Sequence, residues 1–475
     1  MLPGRTTIQG LVRGAVALLM ALAAPADAQP RATGLTVAPP EYLAKIPPAF
    51  SPFGGDSLPS RVDLSPSLPP PGNQGQQGSC VAWTVAYALR SYQAQTHERS
   101  SLLVAPGVID STRVFSPAFV YNQINNGRNA GTYFGDALNL LQEMGAAPLA
   151  DMPYNAADFV SQPDSATIAV AARFRLLSWK RVNYKDVIEV KSQLNAGYPV
   201  MIGAKVDDGF MKAGKDFVWK EVVGEQSGGH AMLVVGYDND RHAFRAINSW
   251  GADWGDGGYY WFDYDFFPTV VHEAYVAKDR YVRPTPPPPP TPKIGPAPTI
   301  VSKRTKIDPG TVVVKGPTIV PPPRKLPTLQ PPAPSAFDDA RVSIVRTRQD
   351  VRDSLLGPGI RFDGLVSVPG GSEGNLQVVI HLYSDSGGRP GHFIRAASPR
   401  FAVGRARAAT GTSPFPLVQA GPTNRAWVAF LPYSALDLSA ETAGPVRIIA
   451  EPVLYVDRFG VKAGRISPIT CRCGR

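Results

Sequence analysis

The stretch that decides the fold reads Asn73-Gln74-Gly75-Gln76-Gln77-Gly78-Ser79-Cys80-Val81-Ala82-Trp83. A loop that contains two glycines leads into residues 81–93, where apolar side chains recur at helical spacing. Cys80 therefore lies at the predicted start of a buried helix. At that position the helix macrodipole and unpaired backbone N–H groups stabilise negative charge. The sequence thus predicts a Cys80 thiol with a lowered pKa, which makes it a candidate nucleophile.

A nucleophilic thiol needs a base, and one of the six histidines is placed to serve as one. His230 follows Gly228 and Gly229 and begins the apolar run 231–237, a predicted strand. Two glycines leave room for the backbone of a bound peptide, which would place a substrate beside the imidazole. We therefore predict that His230 transfers protons and that Gly228 and Gly229 contact the substrate.

The imidazole in turn needs a residue that orients it. Asn248 closes the next predicted strand, and its amide can fix the tautomer of His230. Trp250 can cover that hydrogen bond and exclude water. Gln74, six residues before Cys80, can donate its side-chain amide to an oxyanion.

These blocks resemble the papain-like cysteine peptidase family in residues 58–283. The resemblance lies in the chain order Cys80, His230, Asn248 and in the six-residue step from Gln74 to Cys80. It implies that Gln74 is the oxyanion donor, Cys80 the nucleophile, His230 the acid–base and Asn248 the orienting residue. The implied reaction is hydrolysis of a polypeptide substrate through a Cys80 thioester, with no cofactor and no metal.

Several features depart from the family pattern. Gln77 stands where many members have a second cysteine, so the helical part is expected to hold together by packing alone. Residues 29–57 are expected to be a short leader or a disordered arm, too short for the long inhibitory propeptide of many members. Gly203 and Gly228 fall near the main specificity pocket of the family, which predicts an open pocket.

The order of the elements favours an α+β fold with two subdomains that meet at a cleft, helical on the left and antiparallel β on the right. Helices are predicted at 81–93, from Ser116-Pro117, at 136–144 and at 187–195. Strands are predicted at 199–204, 231–237, 243–248, 258–262 and 274–277.

The N-terminal residues 1–28 have the pattern of a secretory signal peptide. Basic residues precede the apolar run 15–24, which is too short to span a bilayer. Ala28 then ends a small-x-small cleavage site, so Gln29 is the predicted first residue of the exported chain. The expected location is therefore periplasmic or secreted, with no transmembrane segment after cleavage.

Residues 284–335 are a proline-rich tract in which polyproline II is the expected conformation. The tract contains seven basic residues and one acid, which is six of the ten net positive charges of the chain. This distribution argues against nucleic-acid binding and favours a solvated linker near an anionic surface.

Residues 336–475 combine short Val-, Ile- and Tyr-rich runs with Gly- and Asp-rich turns, which predicts a small all-β sandwich. No clustered metal ligands are visible there, so we expect an accessory module with a cell-envelope or surface ligand. Cys471 and Cys473 are the only cysteines besides Cys80, and the sequence leaves open whether they pair.

Two alternative functions remain open from the sequence. The chain can be a catalytically silent binding or scaffold protein that retains the fold. It can also be an acyl-transfer enzyme, a peptide ligase or an amidase of the cell envelope, because the same catalytic residues can pass an acyl group to an amine.

Overall fold

The computed structural model describes two folded regions. The described residues are 31–50, 58–98, 101–280, 337–370, 374–397, 402–403, 407–412, 414–417, 422–437 and 446–471. The predicted signal peptide and proline-rich tract lie outside the described residues.

One long helix, residues 80–98, forms the centre of the helical subdomain. It runs through Cys80–Ala82, the π-helical Trp83–Arg90 and Ser91–Glu98. The helix predicted at 81–93 is therefore confirmed and extends further. The other helices are Pro40–Leu43, Pro117–Ile124, Phe134–Glu143, Ser165–Ala171, Val187–Asn195, Asp208–Met211 and Phe267–Val270.

Side-chain caps fix several of these helix starts. The Ser116 hydroxyl accepts the Phe119 N–H at 3.2 Å, and Asp186 accepts the N–H groups of Ile188 and Glu189. The predicted helix starts at Ser116-Pro117 and at 187 are thus confirmed, because the capping residues carry a signal that the sequence shows.

An eight-stranded sheet forms the second subdomain and is antiparallel except for one parallel pair. Its strands are Arg61–Asp63, Leu176–Arg181, Val200–Asp207, Val218–Trp219, Gln226–Asp238, Ala243–Ile247, Tyr259–Asp263 and Val271–Asp279. All five predicted strands are present. Leu176–Arg181 was missed because it is buried on both faces and so lacks the alternation that marks a half-buried strand.

The long helix and the histidine strand, Gln226–Asp238, meet in one apolar core. Val81, Val85 and Leu89 of the helix pack in the same cluster as Leu233 and Val235 of the strand. This packing brings the first turn of the helix next to the start of the apolar part of the strand, which is where the candidate catalytic residues lie.

Gln77 takes the place that a second cysteine has in many papain-like chains. Its Nε2 lies 3.3–3.4 Å from the carbonyl oxygens of Asn155, Ala156 and Asp158. A buried amide thus connects the loop before Cys80 to the loop 155–158. Cys80 itself is a free cysteine.

The C-terminal region is an all-β sandwich, and the α+β class with an all-β addition is confirmed. One sheet contains Arg341–Asp353, Gly357–Val368 and Thr423–Pro432. The strands of the other are Asn375–Asp385, Pro390–Phe393, Arg395–Ala396, Ala402–Val403, Arg407–Gly411, Phe415–Pro416, Leu436–Asp437, Val446–Val456, Phe459–Ala463 and Ser467–Cys471. Inner residues of both sheets share one core. Cys471, at the end of the last strand, is disulfide-bonded.

The sandwich packs directly against the peptidase-like region. Asp457 accepts the Tyr198 hydroxyl on its carbonyl at 2.7 Å and the Lys278 ammonium on its carboxylate at 2.8 Å. Arg407 pairs with Asp186 at 3.0 Å. The two regions therefore contact each other through specific polar contacts, in addition to the apolar surface that they share.

Residues 31–50, which we call the leader, run along the helical subdomain. Leu35, Ala38, Tyr42 and Ile46 are buried in the same core as the long helix. The sequence predicted either a short leader or a disordered arm for residues 29–57. Residues 31–50 are ordered and packed. The path of the leader matters because it crosses the candidate active site.

Candidate active site

Cys80 is the first residue of the long helix and is fully buried. The Ala231 N–H donates to its Sγ at 3.4 Å. Backbone N–H groups of Val81, Cys80 itself and Gly34 also act on the thiol in the direction that lowers its pKa. The sulfur is therefore surrounded by backbone donors, an arrangement that stabilises a thiolate.

His230 lies in the histidine strand, one residue before the donor to Cys80. Its Nε2 is 2.8 Å from the Asn248 Oδ1, and this nitrogen donates because an amide oxygen only accepts. The Nδ1 atom has no hydrogen-bond partner among the described residues. The Asn248 contact thus selects the tautomer in which Nδ1 is unprotonated and free to take a proton from a thiol.

Trp250 covers the imidazole of His230. The two rings stack with centroids 4.5 Å apart and planes 27° apart, and Trp250 is 2% exposed. The indole Nε1 donates to the Ala32 carbonyl of the leader at 2.9 Å. The ring therefore shields the contact between His230 and Asn248 on one side and binds the leader on the other.

Gln74 is fully buried and has a fixed orientation. Its Oε1 accepts the Ser249 hydroxyl at 2.6 Å, and its Nε2 donates to the Gln77 carbonyl at 2.8 Å. The second N–H of the amide is left for another acceptor. Ser249 was not predicted, although it follows Asn248 directly, and it connects the glutamine to the block that contains Asn248.

Residues 33–36 of the leader lie between the two subdomains and bond to both walls of the cleft. The Leu35 N–H donates to the Gly229 carbonyl at 3.0 Å, and the Thr36 N–H donates to the Thr132 carbonyl at 3.0 Å. Thr132 returns a hydrogen bond from its N–H to the Gly34 carbonyl at 2.9 Å. The cleft therefore already holds a peptide backbone on both of its walls.

The two predicted substrate-contacting glycines face these leader residues. A Cβ on Gly229 would lie 2.5 Å from the Leu35 carbonyl oxygen, and one on Gly228 would lie 2.6 Å from the Thr33 hydroxyl. No side chain fits in that space without displacing the leader. Gly228 and Gly229 thus allow a peptide backbone to approach the cleft wall closely.

The burial of Cys80 and His230 contradicts the prediction of a lowered thiol pKa. Burial raises the pKa of Cys80 to about 12, and burial lowers the pKa of His230 to about 4. The sequence predicted a lowered thiol pKa from the position of Cys80 at the helix start. The leader and the core remove water from the sulfur, and this desolvation outweighs the backbone donors. With the leader in place, thiol and imidazole are therefore both neutral.

The pocket expected at Gly203 is filled in this structure rather than open. A Cβ on Gly203 would lie 2.4 Å from the Leu35 side chain and 2.9 Å from the Glu273 side chain. The Leu35 side chain fills this pocket, and the buried carboxyl of Glu273 lies beside it. Glu273 was missed, although an acid inside the apolar strand Val271–Asp279 is a visible signal.

Among the described residues, no group of three or more His, Cys, Asp or Glu side chains is arranged to hold a metal ion. The same part of the chain contains no helix long and apolar enough to cross a bilayer.

The family model for papain family cysteine proteases matches residues 58–274. The chain is 24% identical to an uncharacterized peptidase C1-like protein of Acanthamoeba polyphaga mimivirus, over 44% of this chain and 68% of that one. It is 31% identical to the gamete and mating-type specific protein A of Dictyostelium discoideum, over 42% of this chain and 41% of that one. The chain thus spans less than half of the second relative.

One solved structure and one further curated relative also align with this chain. Xylellain, a cysteine protease from Xylella fastidiosa, aligns with a TM-score of 0.45 at 22% identity and covers 52% of this chain and 96% of its own. Mouse cathepsin K is 24% identical over 48% of this chain and 66% of its own. The family match over residues 58–274 indicates a cysteine peptidase region of the hydrolase class.

Proposed function

We propose that the chain is an exported cysteine endopeptidase that hydrolyses peptide bonds in polypeptides. The observation that supports this most strongly is the leader itself. Its backbone bonds to Gly229 and Thr132 on the two walls of the cleft, and its Gly34 N–H acts on the Cys80 thiol. A polypeptide substrate finds the same backbone donors and acceptors once the leader has moved away.

The chemistry follows from the hydrogen bonds of the site. His230 Nδ1 takes the thiol proton, and the Cys80 sulfur attacks the carbonyl carbon of the substrate. The C–N bond breaks as His230 gives the proton to the leaving amine, which leaves a thioester on Cys80. A water molecule then loses a proton to His230 and attacks the thioester, which releases the acid and restores the thiol.

The remaining residues support these steps without taking part in bond changes. Asn248 holds the imidazole so that Nδ1 faces the reaction, and Trp250 keeps water from that contact. Oxyanion stabilisation falls to the Cys80 N–H at the helix start and to the second N–H of the Gln74 amide. Aligned backbone and amide donors of this kind need no reorganisation during the reaction.

The leader occupies the cleft in this arrangement. Its Gly34 N–H donates to the Gly229 carbonyl at 3.2 Å and also acts on the Cys80 thiol in the direction that lowers its pKa. We therefore propose that the chain is latent until the leader leaves the cleft. Export through residues 1–28 and binding of an envelope ligand by the sandwich remain predictions of the sequence.

The test is a digestion assay with an unfolded protein substrate, such as reduced casein, with products identified by mass spectrometry. The Leu35→Asp chain, in which the leader is destabilised, is compared with the same chain that also carries Cys80→Ala, and we expect internal cleavage only with Cys80 present. Equal product patterns from both would contradict the proposal. An added amine nucleophile distinguishes the acyl-transfer alternative, since a ligase would incorporate the amine into the products.

A further inference from the structure

We propose that Tyr154 is a positioning residue for the two groups that stabilise the oxyanion, the Cys80 N–H and the Gln74 side-chain amide. This inference rests on the proposed function, which assigns the oxyanion to those two groups. Tyr154 takes no part in the bond changes. It acts on residues 74–79, which we call the oxyanion loop.

The Tyr154 hydroxyl contacts both ends of the oxyanion loop. It donates to the Gln74 carbonyl at 2.8 Å, because a carbonyl oxygen only accepts. A tyrosine hydroxyl has one proton, so at the second contact, 2.8 Å from the Ser79 Oγ, the serine donates and the tyrosine accepts. One hydroxyl therefore joins the glutamine that supplies the amide donor to the residue directly before Cys80.

Ser79 is the N-cap residue of the long helix, and its hydroxyl points to Tyr154 instead of to the helix. A serine in this place usually accepts an N–H group of the first helical turn. Among the described residues, the Ser79 side chain accepts no N–H of this helix. The contact with Tyr154 therefore fixes the serine without occupying the N–H groups at the helix start, which stay available to a thiolate or an oxyanion.

The Tyr154 ring is held independently of these two hydrogen bonds. It packs edge-on against Trp83, with ring centroids 4.8 Å apart, and Trp83 is 6% exposed in a small apolar cluster. The chain after Tyr154 is fixed as well, because the Asn125 amide donates to the Phe159 carbonyl at 2.7 Å. The hydroxyl therefore has a defined position, and the oxyanion loop is bonded to it at both ends.

Loss of the hydroxyl should shift the oxyanion loop. Ser79 and Gln74 are fully buried, and a buried hydroxyl that loses its acceptor is costly, so the serine has to reorient. The Gln74 carbonyl would keep its longer contact with the Gln77 N–H at 3.3 Å. A displacement of about 1 Å is enough to weaken a catalytic contact strongly. Burial raises the pKa of Tyr154, so in the native chain the hydroxyl keeps its proton near neutral pH.

The experiment compares two reactions of the same thiol in the full Leu35→Asp chain. p-Nitrophenyl acetate acylates Cys80: the S–C bond forms, the carbonyl oxygen takes up negative charge, and p-nitrophenolate leaves as the C–O bond breaks. Iodoacetamide alkylates Cys80 by displacing iodide from a saturated carbon, so no oxyanion forms. In both reactions the thiol proton passes to His230. Both reagents need the open cleft, so the ratio of the two rates does not depend on how often the leader leaves.

Tyr154→Phe keeps the ring and removes the hydroxyl. We expect it to slow acylation by about tenfold and to leave alkylation within about twofold. Tyr184→Phe, in the turn before the helix Val187–Asn195, is the matched control and should change neither rate. Equal losses in both reactions, or no loss in either, would overturn the proposal. If circular dichroism shows that Tyr154→Phe does not fold, Ser79→Ala removes the other partner of the same hydroxyl and should give the same split between the two rates.

A double-mutant cycle tests whether Tyr154 acts through Gln74. In the Gln74→Ala background, Tyr154→Phe should slow acylation by no more than about threefold, because the amide that it positions is gone. Losses that multiply fully would contradict this role. Acylation by the ester does not require peptide cleavage. Failure of the casein digestion would therefore overturn the proposed function, while the ratio of acylation to alkylation would still decide the role of Tyr154.

Discussion

The N–H of Leu35 lies 3.0 Å from the carbonyl of Gly229, the residue directly before His230. This one hydrogen bond connects the leader to the strand that carries His230, the proposed acid–base. The Leu35 side chain is 6% exposed and fills the pocket beside the same strand. Backbone pairing and side-chain burial together therefore keep the cleft closed over Cys80.

Leu35→Asp should open the cleft. The substitution removes a buried apolar side chain and places a second carboxylate beside Glu273, which destabilises the closed leader by about 2 kcal/mol or more. We expect thiol labelling of Cys80 to become at least about tenfold faster. Val37→Asp is the matched control, because Val37 is 36% exposed on the same leader. Equal labelling of both variants would show that the pocket does not hold the leader.

Two titratable groups make closure of the leader depend on pH, and their effects have opposite signs. The pKa of Glu273 is raised to about 7 under the leader, against an ordinary value of about 4.5. The closed state therefore binds more protons between those values, and raising the pH through 7 favours opening. The pKa of His230 is lowered to about 4 from 6.5. For this group the open state binds more protons, so lowering the pH from 6.5 to 4 favours opening.

Removing one of these titratable groups should reveal the pH effect of the other. In Glu273→Gln only the His230 contribution remains, so opening should increase steadily from pH 7 to pH 5. In the wild-type chain the two contributions oppose each other, and opening should change much less. Hydrogen exchange of the Leu35 and Thr36 amides, corrected with an unstructured peptide, measures this. A pH dependence that is the same in both proteins would contradict the assignment of one of the two pH effects to Glu273.

Asn248→Ala should slow catalysis without unfolding the domain. The variant removes the acceptor for His230 Nε2, so the imidazole loses its tautomer and its orientation. We expect kcat to fall on the order of a hundredfold with KM nearly unchanged. Asn424→Ala, an exposed position in the sandwich, serves as the control. A loss confined to KM would assign Asn248 to substrate binding instead.

Phe50→Ala should weaken the contact between the leader and the sandwich. The Phe50 ring lies 6.3 Å from that of Tyr455, and a Cβ on Gly460 would be 2.6 Å from the Phe50 side chain. The Phe50 carbonyl also accepts the Gln193 amide at 3.1 Å. Loss of this partly buried ring should lower the melting temperature by several degrees and speed Cys80 labelling moderately. Leu355→Ala, at a residue 92% exposed, should change neither.

Much of the fold follows from local patterns in the sequence. The cap at Ser116, the periodic apolar face of 81–93 and the alternating strands around His230 each predicted the correct element. Cys80, His230 and Asn248 were predicted from their surroundings, and the structure brings His230 and Asn248 into contact and Cys80 next to Ala231.

The misses have a physical reason in common. The leader pairs with Gly229 and Thr132 only through isolated backbone bridges at Leu35, a stretch too short to give a strand pattern in the sequence. The pKa of Cys80 depends on burial under the leader, a tertiary effect that the helix-start position does not contain. Glu273 reaches the cleft only through the sheet register beside Gly203.

The central claim is that Cys80 and His230 form an activated pair that the leader covers. An epoxysuccinyl reagent tests it on the full chain, with the adduct located by mass spectrometry in wild type, Leu35→Asp and Leu35→Asp with His230→Ala. The account predicts slow labelling at Cys80 in wild type, fast labelling in Leu35→Asp, and loss of that gain when His230 is removed. Labelling that is equally fast in all three, or absent at Cys80 in the folded Leu35→Asp protein, would contradict it.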